Sequence, residues 1–80
     1  MNKYSLEEVS QHNTENSLWI IIDDCVYDVT TFYKNHPGGI NALLNNGGNN
    51  VTEKFNKIKG HTYNTKIVEL LIDMLIGKIV

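Results

Sequence analysis

Residues 26–39 read Val-Tyr-Asp-Val-Thr-Thr-Phe-Tyr-Lys-Asn-His-Pro-Gly-Gly, and this stretch is the most informative part of the chain. Its first half is rich in β-branched and aromatic residues, which is typical of a strand. Its last four residues predict a sharp turn, because proline fixes one backbone torsion and two glycines remove side chains. His36 opens that turn, so its imidazole and its own backbone can come very close to a flat bound group.

A second histidine, His61, lies directly after Gly60 and allows the same close approach. Imidazole is a common ligand of haem iron, and two imidazoles fill both axial positions of a porphyrin. A filled coordination sphere leaves no position for oxygen or substrate, so the pair favours an electron carrier over an enzyme. His36 alone is explained equally well by an ordinary turn, and His12 is best explained as a surface or core residue.

Other sites fit the sequence less well. Structural zinc requires four ligands, commonly cysteines, at close spacing, and the three histidines and single cysteine of this chain do not have that spacing. Copper lacks an evident methionine ligand pattern. Nucleic-acid binding would depend on the lysines at 54, 57 and 59, but the pI is near 5.8 and the chain has no arginine. We therefore expect no nucleic-acid partner.

Length and composition predict one small folded domain over residues 1–80, expected to be a monomer. Cys25 is the only cysteine, which excludes Cys-x-x-Cys zinc sites and the Cys-x-x-Cys-His attachment of c-type haem, so any haem is held non-covalently. No apolar run approaches the roughly 20 residues that span a bilayer. We expect a soluble, cytoplasmic chain without a membrane span.

The charges are unevenly distributed along the chain. Residues 30–66 carry five lysines and one glutamate, a balance of +4, and the rest of the chain has a balance of −6. Both histidine turns therefore lie in the basic part.

The pattern of residues predicts helices around a small sheet. Ser5 and Glu8 form a capping box for a short helix running towards His12. Two apolar runs around Asp23-Asp24 predict a β-hairpin. Thr30 or Thr31 is expected to cap a short helix through residue 34.

Further helices are predicted beyond the first histidine turn. A short helix over residues 40–44 ends at Asn45-Asn46-Gly47-Gly48. Asn50 caps another that carries Phe55 and Ile58 on one face. A longer amphipathic helix begins near Asn64, and Leu75 to Val80 form a closing strand. The helices therefore come as two pairs, one for each histidine turn.

The chain resembles the cytochrome b5 family over nearly its whole length. The resemblance is carried by Tyr-Asp-Val-Thr at 27–30, His-Pro-Gly-Gly at 36–39 and Gly-His-Thr at 60–62, together with Leu-Trp-Ile-Ile at 18–21 and Ile-Gly-Lys-Ile at 76–79. It implies an α+β fold, a small mixed sheet with two helical pairs enclosing a haem b. It also implies that His36 and His61 are the axial ligands. The pocket walls carried over by position are Phe32, Leu43, Phe55 and Ile58. The chain departs from the usual pattern by one additional residue between Phe55 and Gly60, so Lys59 is the alternative to Ile58. Thr62 matches a family serine that binds a haem propionate.

The resemblance implies one-electron transfer from a flavin-containing NAD(P)H-cytochrome b5 reductase to an acceptor such as a desaturase or oxygenase. The alternative is a haem- or sterol-binding module of the membrane-associated progesterone-receptor type, but those relatives lack the paired histidines. The chain departs from the family in one further respect. Ile40 and Asn41 stand where the family usually has acidic residues, so the acidic collar around the haem edge is largely absent.

Overall fold

The structure is a computed structural model, and it describes residues 2–32, 40–57 and 65–80. In these residues the chain forms one mixed five-stranded sheet with helices on both sides of it. The strands are β1 (Asn2–Tyr4), β2 (Asn13–Thr14), β3 (Ser17–Ile22), β4 (Cys25–Asp28) and β5 (Leu75–Ile79). The helices are α1 (Leu6–Ser10), α2 (Ile40–Leu44), α3 (Thr52–Lys57) and α4 (Thr65–Met74).

The order of strands across the sheet is β1-β5-β4-β3-β2. β1 and β5 pair in parallel, and the other neighbours pair antiparallel. The predicted closing strand is confirmed, and it lies inside the sheet between β1 and β4. Neither β1 nor β2 was expected from the sequence, because strands of three and two residues are too short to show an alternating pattern.

The predicted hairpin is confirmed, with Ile22 paired to Cys25 across a two-residue turn. Asp23 and Asp24 both have positive φ, at 50° and 66°. This is the geometry of a type I′ turn, whose twist matches that of the flanking strands. Aspartate accepts the left-handed region better than most residues with a side chain, so Asp-Asp closes this hairpin without glycine.

Side-chain capping determines where the first helix begins. The Ser5 hydroxyl accepts a hydrogen bond from the Glu8 backbone amide at 3.0 Å, as the capping box predicts. α1 ends at Ser10, earlier than expected, because the His12 amide bonds the Val9 carbonyl and the His12 carbonyl accepts from Trp19 in β3. The chain is therefore drawn into the sheet before another helical turn can form.

The later helices follow the predicted pattern. The short helix over residues 40–44 is confirmed as α2, and α4 begins one residue after Asn64. The Asn50 side chain accepts from the Thr52 amide at 3.0 Å at the start of α3, which confirms its capping role. Residues 30–32 form a turn, and the rest of the helix expected through residue 34 lies outside the described residues.

Alternate residues of β3 point to opposite faces of the sheet and build two apolar clusters. The first, here called the site cluster, consists of Leu18, Ile20, Ile22, Val29 and Val51. The second consists of Val9, Ile21 and Val26, packed against Tyr4, Trp19, Ile76 and Ile79. α1 covers the second face, and α2, α3 and α4 contribute side chains to the first.

Gly48 connects the two layers, because its backbone has φ +78° and lies against α1. A Cβ added there would lie 2.8 Å from the Ser10 carbonyl oxygen. We expect Gly48→Ala to lower the free energy of unfolding by about 2–3 kcal/mol, since it adds left-handed strain and a backbone clash. Asn49→Ala, at a neighbouring exposed side chain, should change it by about 0.5 kcal/mol or less. Urea unfolding measures both variants, and equal stabilities would contradict this account of Gly48.

Candidate functional site

Seven half-buried side chains pack on the site cluster from β4, from the turn after it and from three helices. They are Tyr27, Phe32, Leu43, Leu44, Phe55, Leu71 and Met74. Each of them contacts the cluster yet keeps part of its surface outside it. The described residues on this side of the sheet therefore form an apolar wall. Each side chain of the wall is held at its inner end by contact with the site cluster.

The two histidine segments lie between elements of that wall. Residues 33–39, which contain His36, connect Phe32 to α2, and residues 58–64, which contain His61, connect α3 to α4. All four flanking elements place an apolar side chain on the site cluster. The described elements on both sides of each histidine segment thus pack on one apolar cluster. The histidines themselves lie outside the described residues.

The approach to the first histidine segment is fixed by the Asp28 and Thr30 side chains. The Thr30 hydroxyl accepts from the Leu18 amide at 2.9 Å and donates to the Asp28 carboxylate, which also accepts from the Thr30 amide at 3.0 Å. Phe32 follows in a turn closed by its amide on the Val29 carbonyl at 3.1 Å. Within the described residues Thr30 therefore anchors this turn to β3.

The approach to the second histidine segment is an extension of the sheet. Ile21 donates to the Asn49 carbonyl at 3.0 Å and accepts from the Val51 amide at 2.8 Å, so the chain before α3 pairs with β3. The Val51 carbonyl then accepts from Phe55 at 2.8 Å, which begins the helix. Because α3 starts from a paired residue, Phe55 is directed to the site cluster.

Three of the seven predicted site residues, Phe32, Leu43 and Phe55, are brought together on the site cluster. His36, His61, Ile58 and Thr62 lie outside the described residues, so their roles stay predictions. The sequence prediction omitted four wall residues, Tyr27, Leu44, Leu71 and Met74. The three-residue spacing of the two on α4 is the signal that could have found them.

His12 has a structural role in the fold. Its ring stacks on Trp19 with centroids 3.5 Å apart and an interplanar angle of 7°, and its Nδ1 lies 2.6 Å from the Ser17 hydroxyl. It belongs to the face of the sheet opposite the site cluster, with Trp19. This confirms the structural explanation of His12.

The chemistry of the wall fits a flat apolar group better than a polar substrate or a bare ion. Every fully buried side chain in the described residues is apolar. The same residues contain no group of three histidine, cysteine or acidic side chains that could hold a metal ion. A macrocycle that buries its faces and takes its metal ligands from His36 and His61 matches this donor set.

The comparison with protein families decides the class of this domain. Residues 5–80 match the model of the cytochrome b5-like heme/steroid binding domain. The chain belongs to this family. Its resemblance to cytochrome b5, inferred from the sequence, is therefore confirmed.

Similar proteins come from several groups of organisms. Cytochrome b5 of Rhizopus stolonifer is 43% identical over 76 residues, which are 95% of this chain and 56% of that protein. The NADH nitrate reductase of Petunia hybrida is 44% identical over 77 residues, which are 96% of this chain and 8% of that protein. The chain thus spans little more than half of the fungal relative and a small part of the plant enzyme.

Solved structures show the same fold. Cytochrome b5 of Ostreococcus tauri virus 2 aligns with a TM-score of 0.82 and 37% identity, covering 95% of this chain and 94% of that one. Cytochrome b558 of Ectothiorhodospira vacuolata, described as a prokaryotic homologue of cytochrome b5, also has a TM-score of 0.82, at 29% identity and 98% coverage of both chains. The α+β fold class is confirmed. Among the described residues, no helix is long and apolar enough to cross a membrane.

Neighbouring residues of α4 test the wall directly, because Leu71 packs on the site cluster and Ile72 is 64% exposed. We expect Leu71→Ala to lower the free energy of unfolding by about 1–2 kcal/mol through lost apolar burial. Ile72→Ala should change it by about 0.5 kcal/mol or less. Urea unfolding measures the stability of both variants. A larger loss of stability for Ile72→Ala would show that the side of α4 with Ile72, and not the side with Leu71, packs on the site cluster.

Tyr27, one of the wall residues, makes the free energy of unfolding depend on pH in the alkaline range. Burial raises the pKa of its phenol from 10.0 to about 12, and the nearby Cys25 thiol and Asp23 carboxylate add to the rise. Between these values the unfolded chain loses the proton first, so the stabilisation is complete below pH 10 and is lost towards pH 12. We expect Tyr27→Phe to reduce the decline of unfolding free energy from about pH 9 to about pH 11. Parallel declines in the two proteins would contradict this.

Proposed function

We propose that this domain is a one-electron carrier that holds a non-covalent haem b through His36 and His61. The observation that carries the proposal is that the described elements on both sides of each histidine segment pack on the same site cluster. The match to a heme-binding family supports the cofactor class. The relatives named cytochrome b5 support the carrier role.

The wall residues exclude water from the bound macrocycle and orient it. Phe32 and Leu43 lie on the two flanks of the first histidine segment, and Phe55 and Leu71 on the two flanks of the second. Their contacts with the site cluster fix the described elements on either side of each segment, because interiors are close-packed. In this proposal Ile58 extends the wall and Thr62 donates to a propionate.

A haem held there would supply a one-electron redox couple at its iron, and two imidazole ligands would leave that iron no open coordination position. The domain alone is therefore a carrier and no enzyme. Non-covalent attachment follows from the cysteine content, because Cys25 is the only cysteine and lies on β4. No thioether linkage of the c type can form near either histidine segment.

A flavin-containing NAD(P)H-cytochrome b5 reductase is the proposed donor, and an acceptor redox enzyme such as a desaturase or oxygenase receives the electron. The plant relatives named NADH nitrate reductase support the use of a reduced nicotinamide as the ultimate source. We further propose a monomeric domain that works in the cytoplasm, without a nucleic-acid partner.

Absorption spectra of the haem-loaded protein test the ligands. We expect six-coordinate, low-spin spectra in both oxidation states, because two imidazoles occupy the axial positions. His36→Ala and His61→Ala should each give a high-spin or haem-free protein. His12→Ala is the matched control, since His12 is stacked on Trp19, and it should keep the wild-type spectrum.

Unchanged spectra in both single variants would exclude the ligand assignment. The same measurement separates the alternative function, because the family description also names steroid binding. A protein that takes up a steroid and gives no low-spin haem spectrum would favour that alternative.

A further inference from the structure

The side of α4 that faces away from the site cluster is unusually apolar. Val68 is 43% exposed and Ile72 is 64% exposed on this side, whereas Leu70, which is 39% exposed, lies two residues from each of them and on another side of the helix. Elsewhere in the described residues, large exposed apolar side chains occur only at Leu6 and Val80. Single exposed apolar residues are ordinary, whereas a contiguous group indicates an interaction surface.

Two carboxylates lie beside this apolar group. Val68 and Ile72 are one helical turn apart, and Glu69 and Asp73 form a parallel row next to them. Among the described side chains the one ion pair joins Lys57 to Glu53, and both of these residues lie on α3. Val68, Glu69, Ile72 and Asp73 are called here the α4 outer face.

We propose that the α4 outer face is a docking surface for a redox partner protein that presents an apolar patch edged by lysine or arginine. This inference rests on the proposed electron-transfer function. The apolar row supplies area that leaves water on contact, and the acidic row attracts and orients cations of the partner. Charge complementarity therefore selects a basic partner.

The same charges disfavour two other occupants. A second copy of the chain would use the same patch on both subunits, which places Glu69 and Asp73 of one copy near those of the other. A lipid surface favours helices whose polar face is rich in lysine and arginine, and anionic lipid repels carboxylates. A basic protein surface satisfies both rows of the α4 outer face together.

The position of α4 suits electron transfer. Its inner residues Leu71 and Met74 pack on the site cluster, and the helix begins four residues after His61. A partner on the outer face is therefore separated from the wall by one helix diameter, about 10 Å. The α4 outer face does not include Ile40 and Asn41, where the family's acidic residues are missing.

Electron transfer from the reduced holoprotein to cytochrome c, a basic protein, is the test. Stopped-flow rates are measured over a series of salt concentrations for two double variants. Glu69→Gln/Asp73→Asn should slow the second-order rate at low salt about threefold and flatten its salt dependence. Val68→Ser/Ile72→Ser should raise the concentration of cytochrome c at which the observed rate saturates, because docking is weaker. The salt dependence of the rate should stay as in the wild type.

Matched controls come from α1, which lies on the opposite face of the sheet. Leu6→Ser removes an apolar side chain that is 61% exposed, and Glu7→Gln/Glu8→Gln removes two exposed carboxylates. Both should behave as the wild type. Equal effects of the α1 and α4 variants would overturn the docking surface, because they would show a response to net charge or polarity alone.

Failure of the carrier function is distinguished by a second measurement. A wild-type holoprotein that transfers no electron would contradict the proposed function. In that case the changes in amide chemical shift on adding cytochrome c test the docking surface independently. Shifts concentrated at residues 68–73 support it, and shifts confined elsewhere overturn it. Self-association, or binding to phosphatidylcholine vesicles, that Val68→Ser/Ile72→Ser abolishes would assign the face to one of the other occupants and also overturn the proposal.

Discussion

The alternation of side chains along β3 is the constraint on which the rest of the molecule depends. Leu18, Ile20 and Ile22 point to one face, and Trp19 and Ile21 point to the other. A shift of one residue in pairing would exchange the two sets. The type I′ turn and the pairing of Ile21 with the chain before α3 hold this register from both sides. The separation of a site face from a supporting face follows from it.

The polar contacts have different roles on the two faces of the sheet. On the site side, Thr30 and Asn50 fix the chain where it leaves the sheet towards each histidine segment. On the other side, His12 and Tyr4 both pack against Trp19, at centroid distances of 3.5 and 4.9 Å. Polar side chains thus fix the chain where it leaves the sheet, and the buried clusters on the two faces are apolar.

Much of this could be predicted from local sequence signals. The capping box at Ser5, the hairpin around Asp23 and the helix end at Asn45 are determined by residues close to one another in the chain. Pairing between distant segments was not accessible, because the parallel partner of β1 is encoded 75 residues away and leaves no local pattern. The histidine assignment rests on motif spacing and family resemblance.

The placement of β5 inside the sheet has a kinetic consequence. β5 lies between β1 and β4, so β1 has no strand to pair with until residues 75–79 have joined the hairpin. The register of Tyr4 with Ile79 closes one of the longest loops the chain can form. Contacts between distant residues slow folding, because the entropy of loop closure is lost before they form. We therefore expect assembly to proceed outward from the hairpin, with the N-terminal strand added last.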